Sequence, residues 1–218
     1  MSIPLSCNTA TQRIRPLAIA LGPVFCLMCS ACAGEKVEAK FRLTAGPVMV
    51  FVDDVHERMD WPPARRYLWE DVSQELLRTQ SAMKIVPLES EETLRQTLPD
   101  FTKRGCREIG ELAGAEQVVW IEVQEFLAEE DITDSTNAAY FGVTVKVLNA
   151  TEKTDRRRVR VWPDSLQGQL INARMTAAAV ASTKTRDAIC RELSAKLAVS
   201  IARLFHDHQL EDFEKSPP

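Results

Sequence analysis

Two short stretches gather the side chains best suited to chemistry. Asp53-Asp54 and His56 stand just beyond an apolar run, and His206-Asp207-His208 closes a long amphipathic stretch. Between them they hold all three histidines of the chain and several carboxylates. Oxygen and imidazole donors in such a mixture suit a divalent cation. Asp53, Asp54, His56 and His208 are therefore the candidate ligands of a metal site, or of a hydrolase built on Asp53, Asp54 and His56. Helical geometry weighs against the second stretch, because residues two apart on a helix point about 200° from each other. His206 and His208 converge on one ion only if that end is unwound. Solvated residues at a helix end, where the dipole favours a histidine, are the simpler reading.

Four of the six cysteines, Cys7, Cys26, Cys29 and Cys32, fall in the first 32 residues. Only Cys106 and Cys190 lie in the body, so the chain is not a disulfide scaffold. Either these two are buried small hydrophobes, or they form one disulfide, which requires Cα atoms within roughly 7 Å. Trp162-Pro163-Asp164 is similar to the acid loop of tyrosine phosphatases. That chemistry also needs a cysteine with arginine six residues on, and Leu112 and Lys196 occupy those places after Cys106 and Cys190. The body contains no phosphate-binding glycine-rich loop, Gly-x-Ser-x-Gly elbow, His-Glu-x-x-His or Cys-x-x-Cys pair. No catalytic residue and no cofactor are therefore expected.

Residues 13–34 read as an export signal. Arg13 and Arg15 precede an apolar run from Leu17 to Met28, which small residues close. The run is punctuated by Pro16 and Pro23 and is short of the roughly 20 residues that span a bilayer. Ser30-Ala31-Cys32 resembles the lipobox of bacterial lipoproteins, with Cys32 as the lipidated residue, although Cys29 stands where leucine is usual. Arg13 and Arg15 leave with the leader, so 27 basic residues fall to 25 against 31 acidic, and the net charge moves from −4 to −6. An acidic body disfavours nucleic acid, whose binding needs a basic face. The cluster Arg156–Arg160 reads as solvated charge on an edge strand, or as a contact for anionic headgroups or an acidic partner.

The remaining pattern alternates strand with helix. Val48–Val52 is apolar on both faces, as in a strand covered on both sides. Ala64–Thr79 carries an apolar stripe at Leu68, Val72 and Leu76. Met83–Leu88 is a second strand in which Pro87 marks the end or an edge position. Ser90 is expected to cap a helix to Leu98, and another runs Phe101–Ala113 with Gly114 as its stop. Gln117–Phe126 is the central strand. Phe141–Leu148 pairs with it across an acidic connection, and Arg156–Trp162 is a fifth strand. The stretch 165–182 gives only a weak signal. Thr185 caps a long helix to about His208, with its stripe at Ile189, Leu193, Leu197, Ile201, Leu204 and Phe205.

Three stretches resemble the α/β domain of bacterial envelope lipoproteins: Val48–Asp53, Ile109–Val119 with its Gly-Ala turn, and Phe141–Asn149. The likeness extends to the curli-secretion lipoprotein, the lipoprotein activators of penicillin-binding proteins, and the N-terminal domain of the Tol-Pal translocation protein. Phe51–Asp54 and Ile201–His208 are also similar to strand and helix ends of uncharacterised secreted lipoproteins of planctomycete type. The resemblance implies a binding or assembly module and transfers no catalytic residue.

The expected fold is therefore α/β: one domain of three-layer type, with a mixed sheet of about five strands, helices on its faces and a long C-terminal helix. Its expected organisation is a signal peptide over 1–31, a lipidated Cys32 and tether over 32–45, the α/β domain over 46–210 and a disordered tail over 211–218. The expected function is that of a non-enzymatic, membrane-anchored envelope lipoprotein that binds or supports another envelope protein. The alternative is the secreted metal-binding protein or hydrolase.

Overall fold

In the computed structural model the described residues are 35–128, 139–183 and 185–210, all within the unit that begins at Glu35. The expected leader with Cys32, the connection over 129–138 and the tail from 211 lie outside them.

In chain order the elements are β1 (Lys36–Val37), β2 (Pro47–Asp53), α1 (Pro63–Arg78), β3 (Lys84–Ile85), α2 (Leu88–Thr97), a 3₁₀ turn (Phe101–Lys103), α3 (Cys106–Leu112) and β4 (Gln117–Ala128). There follow β5 (Ala139–Asn149), α4 (Arg156–Val159), β6 (Arg160–Trp162), β7 (Gln169–Met175), α5 (Ala177–Thr183), α6 (Arg186–Ala202) and β8 (His208–Gln209). The described residues form a six-stranded mixed sheet in the order β3-β2-β4-β5, with β6 and β7 both pairing with β5. β2 runs parallel to β3 and β4, and the later pairs are antiparallel.

Alternation along the central strands builds two cores. Val48, Val50 and Val52 of β2, with Val119 and Ile121 of β4, face α1 and α6. Met49, Phe51 and Val118 point the other way, onto Phe101, Cys106 and Ile109. The apolar-through-and-through reading of Val48–Val52 is thus realised as a strand with helices on both sides. On α6, Ile189, Leu193, Leu197 and Ile201 are fully buried, and Thr185 caps the helix by accepting from Ala188 N (3.3 Å).

α3 ends in a Schellman turn: Gly114 has φ +78°, its N–H bonds Glu111 O (3.0 Å), and Ala115 N bonds Gly110 O (2.9 Å). Gly110 lets α3 lie against β4, since a Cβ there would stand 2.2 Å from Val118 Cγ2.

Several boundaries differ from expectation. α2 starts at Leu88 after Pro87 rather than at Ser90, because the Val86 N–H still bonds Val48 O in the sheet and the chain turns directly after it. The helix expected from Phe101 splits, because Gly105 is extended and begins α3 afresh. Arg156–Trp162 is a strand only from Arg160 onward. The weak stretch contains β7, which pairs with β5 from Ala139 to Val145. α6 ends at Ala202, and His208–Gln209 turns back to pair with Lys36–Val37. Residues of the expected tether are accordingly docked. Phe41 N bonds Leu204 O (3.0 Å), and Asp207 accepts from Ala39 N (3.0 Å) and pairs with Lys36 (2.9 Å) and Arg42 (2.8 Å).

Of the two readings of Cys106 and Cys190, the alternative of a disulfide is not realised: both cysteines are free and buried. Cys106 packs with Met49 and Phe51, and Cys190 with Val48 and Val50, so the sheet lies between them.

A candidate binding cleft at the carboxyl end of β2

The chain leaves β2 through α1 to reach β3 on one side, then crosses through α2 and α3 to β4 on the other. Connections departing in opposite directions open a crevice beyond the strand ends, where open α/β sheets receive ligands. A cleft of about 750 Å³ lies there. Its floor is apolar, from Phe51, Phe101, Ile109 and Leu148, and its walls carry Asp53, Trp120, Cys106 and the guanidinium groups of Arg65 and Arg95.

Asp53, the last residue of β2, is half-buried. Trp120 Nε1 donates to its Oδ2 (3.1 Å), and the Cys106 thiol approaches the same oxygen at 3.8 Å. Burial raises the Asp53 pKa above the ordinary carboxyl range; the Trp120 bond opposes this and the nearby Glu122 charge adds to it. Burial, and then the Asp53 charge, push the Cys106 thiol far up. A thiol raised in this way favours the protonated form, which suits a donor toward Asp53 rather than a thiolate.

The loop after β2 is fastened in place. Asp54 spends both oxygens on its own turn, accepting from Arg58 N and Met59 N (2.8 Å each). The Arg58 guanidinium reaches across to Val123 O (3.4 Å) and Gln124 O, at the bulge of β4 where the register with β5 shifts. A bulge leaves carbonyls outside the ladder, and Arg58 supplies their donor.

Another wall is ionic. Glu91 of α2 is 2% exposed, and its Oε1 meets both Arg65 and Arg95 (2.9 Å for Arg95). Arg65 Nε also donates to Val52 O (3.0 Å), which ties α1 and α2 to the end of β2. Arg95 lies over the Phe101 ring, 4.4 Å from its centroid.

The metal candidates are not brought together. Asp53 lines the cleft, the Asp54 carboxylate is occupied by backbone N–H groups, and His56 stands exposed on the loop. His208 belongs to the β1–β8 ribbon, where its Nδ1 lies 3.2 Å from His206 O and its ring 5.7 Å from that of His206. Asp207 serves the docked N-terminal segment; the Ala39 N–H and then Lys36 hold its pKa well below the usual range. Among the described residues, no three His, Cys, Asp or Glu side chains are placed to hold one ion.

Arg65, Glu91 and Arg95 were absent from the sequence candidates. Their signal was the helical spacing of Glu91 and Arg95, which by itself denotes an ordinary surface pair.

No family model and no curated protein matches the chain. Among solved structures it is similar to the hypothetical protein CT253 from Chlamydia trachomatis, with 16% identity over 73% of this chain and 96% of that one and a TM-score of 0.38. It is also similar to the PelC dodecamer protein from Paraburkholderia phytofirmans (14%, 79% and 99%, TM-score 0.41). A third is lipoprotein GNA1162 from Neisseria meningitidis (11%, 61% and 82%, TM-score 0.38). Similarity this low assigns neither function nor partner.

Proposed function

We propose that the chain is an exported lipoprotein, held to a membrane through Cys32, whose α/β domain is a non-enzymatic binding or assembly module for another envelope protein. The lipobox-like Ser30-Ala31-Cys32 motivates the anchor. The binding reading rests on one observation: the cleft at the end of β2 has walls already fixed by the Asp54 turn, the Arg58 contacts and the Glu91 ion pairs. A preformed concave site on a rigid sheet suits recognition. The anchor would also hold the domain close to its membrane. Only two residues separate Cys32 from Glu35, whose carbonyl already accepts from Leu210 N (3.1 Å). The three backbone steps from Cys32 to Glu35 span at most about 10 Å.

Labelled palmitate should enter the wild-type protein, and Cys32→Ala should move it from the membrane to the soluble fraction. If palmitate stays out and fractionation is unchanged, the anchor is refuted. Pull-down from native membranes should recover a protein with the wild type and lose it with a cleft-blocking Thr102→Trp variant. Recovery that ignores the blocked cleft would place binding elsewhere on the domain.

A further inference from the structure

The ionic wall of the cleft keeps unused donors. Arg65 and Arg95 share one buried oxygen, Glu91 Oε1, and the Asp53 carboxyl is a second acidic group that acts on Arg65. Among the described residues, Nη1 of each arginine has no protein acceptor. Both groups are already oriented, one by Val52 O and the other by the Phe101 ring. A guanidinium held in this way loses little further freedom when it receives an anion. Beside it the floor is apolar, and the nearby carboxyl group of Asp53 has its two donors on Oδ2 alone.

We propose that the cleft binds a small amphipathic organic anion, its apolar body on Phe51, Phe101 and Ile109 and its acidic group against Arg65 and Arg95. A cleft of about 750 Å³ suits a ligand of one or two rings. The Oδ1 of Asp53 is left to accept a hydroxyl or amide hydrogen of the ligand. This assignment deepens the reading of the domain as a binding module and is independent of lipidation.

The test uses the full chain with Cys32→Ala and three probes that share one apolar body: 2-naphthoate, 2-naphthalenemethanol and 2-naphthylmethylammonium. Calorimetric titration at pH 7.5 should rank naphthoate about tenfold tighter than the alcohol, as a charge-assisted bond worth about 1.4 kcal/mol requires, with the ammonium weakest. Arg95→Gln should bring naphthoate to within about threefold of the alcohol. Arg95→Lys, which keeps the charge and the fold, should fall between. Preference for the ammonium, no binding of naphthoate, or equal naphthoate affinity in wild type and Arg95→Gln would overturn the proposal. So would loss of naphthoate binding in Leu170→Asp, which alters the separate groove beside β8. If a protein partner is captured through the cleft but naphthoate does not bind, the module reading stands and the anion assignment falls.

Discussion

Removing the Glu91 carboxylate would leave Arg65 and Arg95 facing each other without the buried anion that joins them. Breaking a buried pair costs 3–5 kcal/mol as a rule. Both guanidinium groups reach solvent, so about 2–4 kcal/mol is expected for Glu91→Ala. The exposed Arg66–Glu70 pair on the same helix offers the contrast, and Glu70→Ala should cost less than about 1 kcal/mol. Urea unfolding of the two variants measures both; equal losses would mean that Glu91 holds nothing together. The cysteines give a second residue-scale prediction. Burial pushes the Cys190 thiol up to about 11 and Cys106 further still. Neither should react with iodoacetamide at pH 8 until the domain unfolds, as peptide mass spectrometry would show. Rapid native labelling of Cys106 would reopen the question of a reactive thiol in the cleft.

At the scale of elements, α6 lines one core and α3 lies against β4 at Gly110. Leu193→Ala should cost about 2–5 kcal/mol, because the fully buried site between α1 and β5 cannot collapse completely. Thr185→Ala removes one cap bond and should cost about 1 kcal/mol. Gly110→Ala should destabilise despite the better helix propensity of alanine, since the new methyl meets Val118 across the α3–β4 contact. A stability gain for Gly110→Ala in thermal unfolding would show that α3 can move away from β4.

For the whole molecule, acid acts in two directions. Burial, then the neighbouring Glu70 charge, raise the Asp71 pKa from the usual 3.8 to about 6. Asp53 is raised as well. A carboxyl whose folded pKa exceeds its unfolded value binds its proton more tightly when folded, so stability grows as pH falls through that interval. Asp207, Glu152 and Asp187 are lowered by the hydrogen bonds they accept, and their contribution is lost as pH falls through their folded values. Stability should therefore rise from pH 7 toward pH 5 and fall below pH 4. Asp71→Asn should flatten the rise, as measured by melting temperature against pH. A monotonic loss of stability from pH 7 downward would contradict the assignment for Asp71.

The sequence by itself determined the α/β class, the central place of Gln117–Phe126, the stripes of α1 and α6 and the cap at Thr185. Each depends on local periodicity or on a side chain bonding its own backbone, and tertiary packing reinforced these preferences. It did not disclose β7, where Asn172 and Arg174 alternate with Ile171, Ala173 and Met175, because period-two alternation marks a strand only once β5 supplies a partner. Gln117–Phe126 also serves the cleft: its Trp120 reaches the Asp53 carboxyl, and its bulge receives Arg58. The candidate site was half legible. Asp53 stood out at the end of an apolar strand, whereas Arg65 and Glu91 lie 26 residues apart on separate helices. Only the crossing of α1 and α2 at the end of β2 made them neighbours, and only their burial turned ordinary surface residue types into a fixed charged wall.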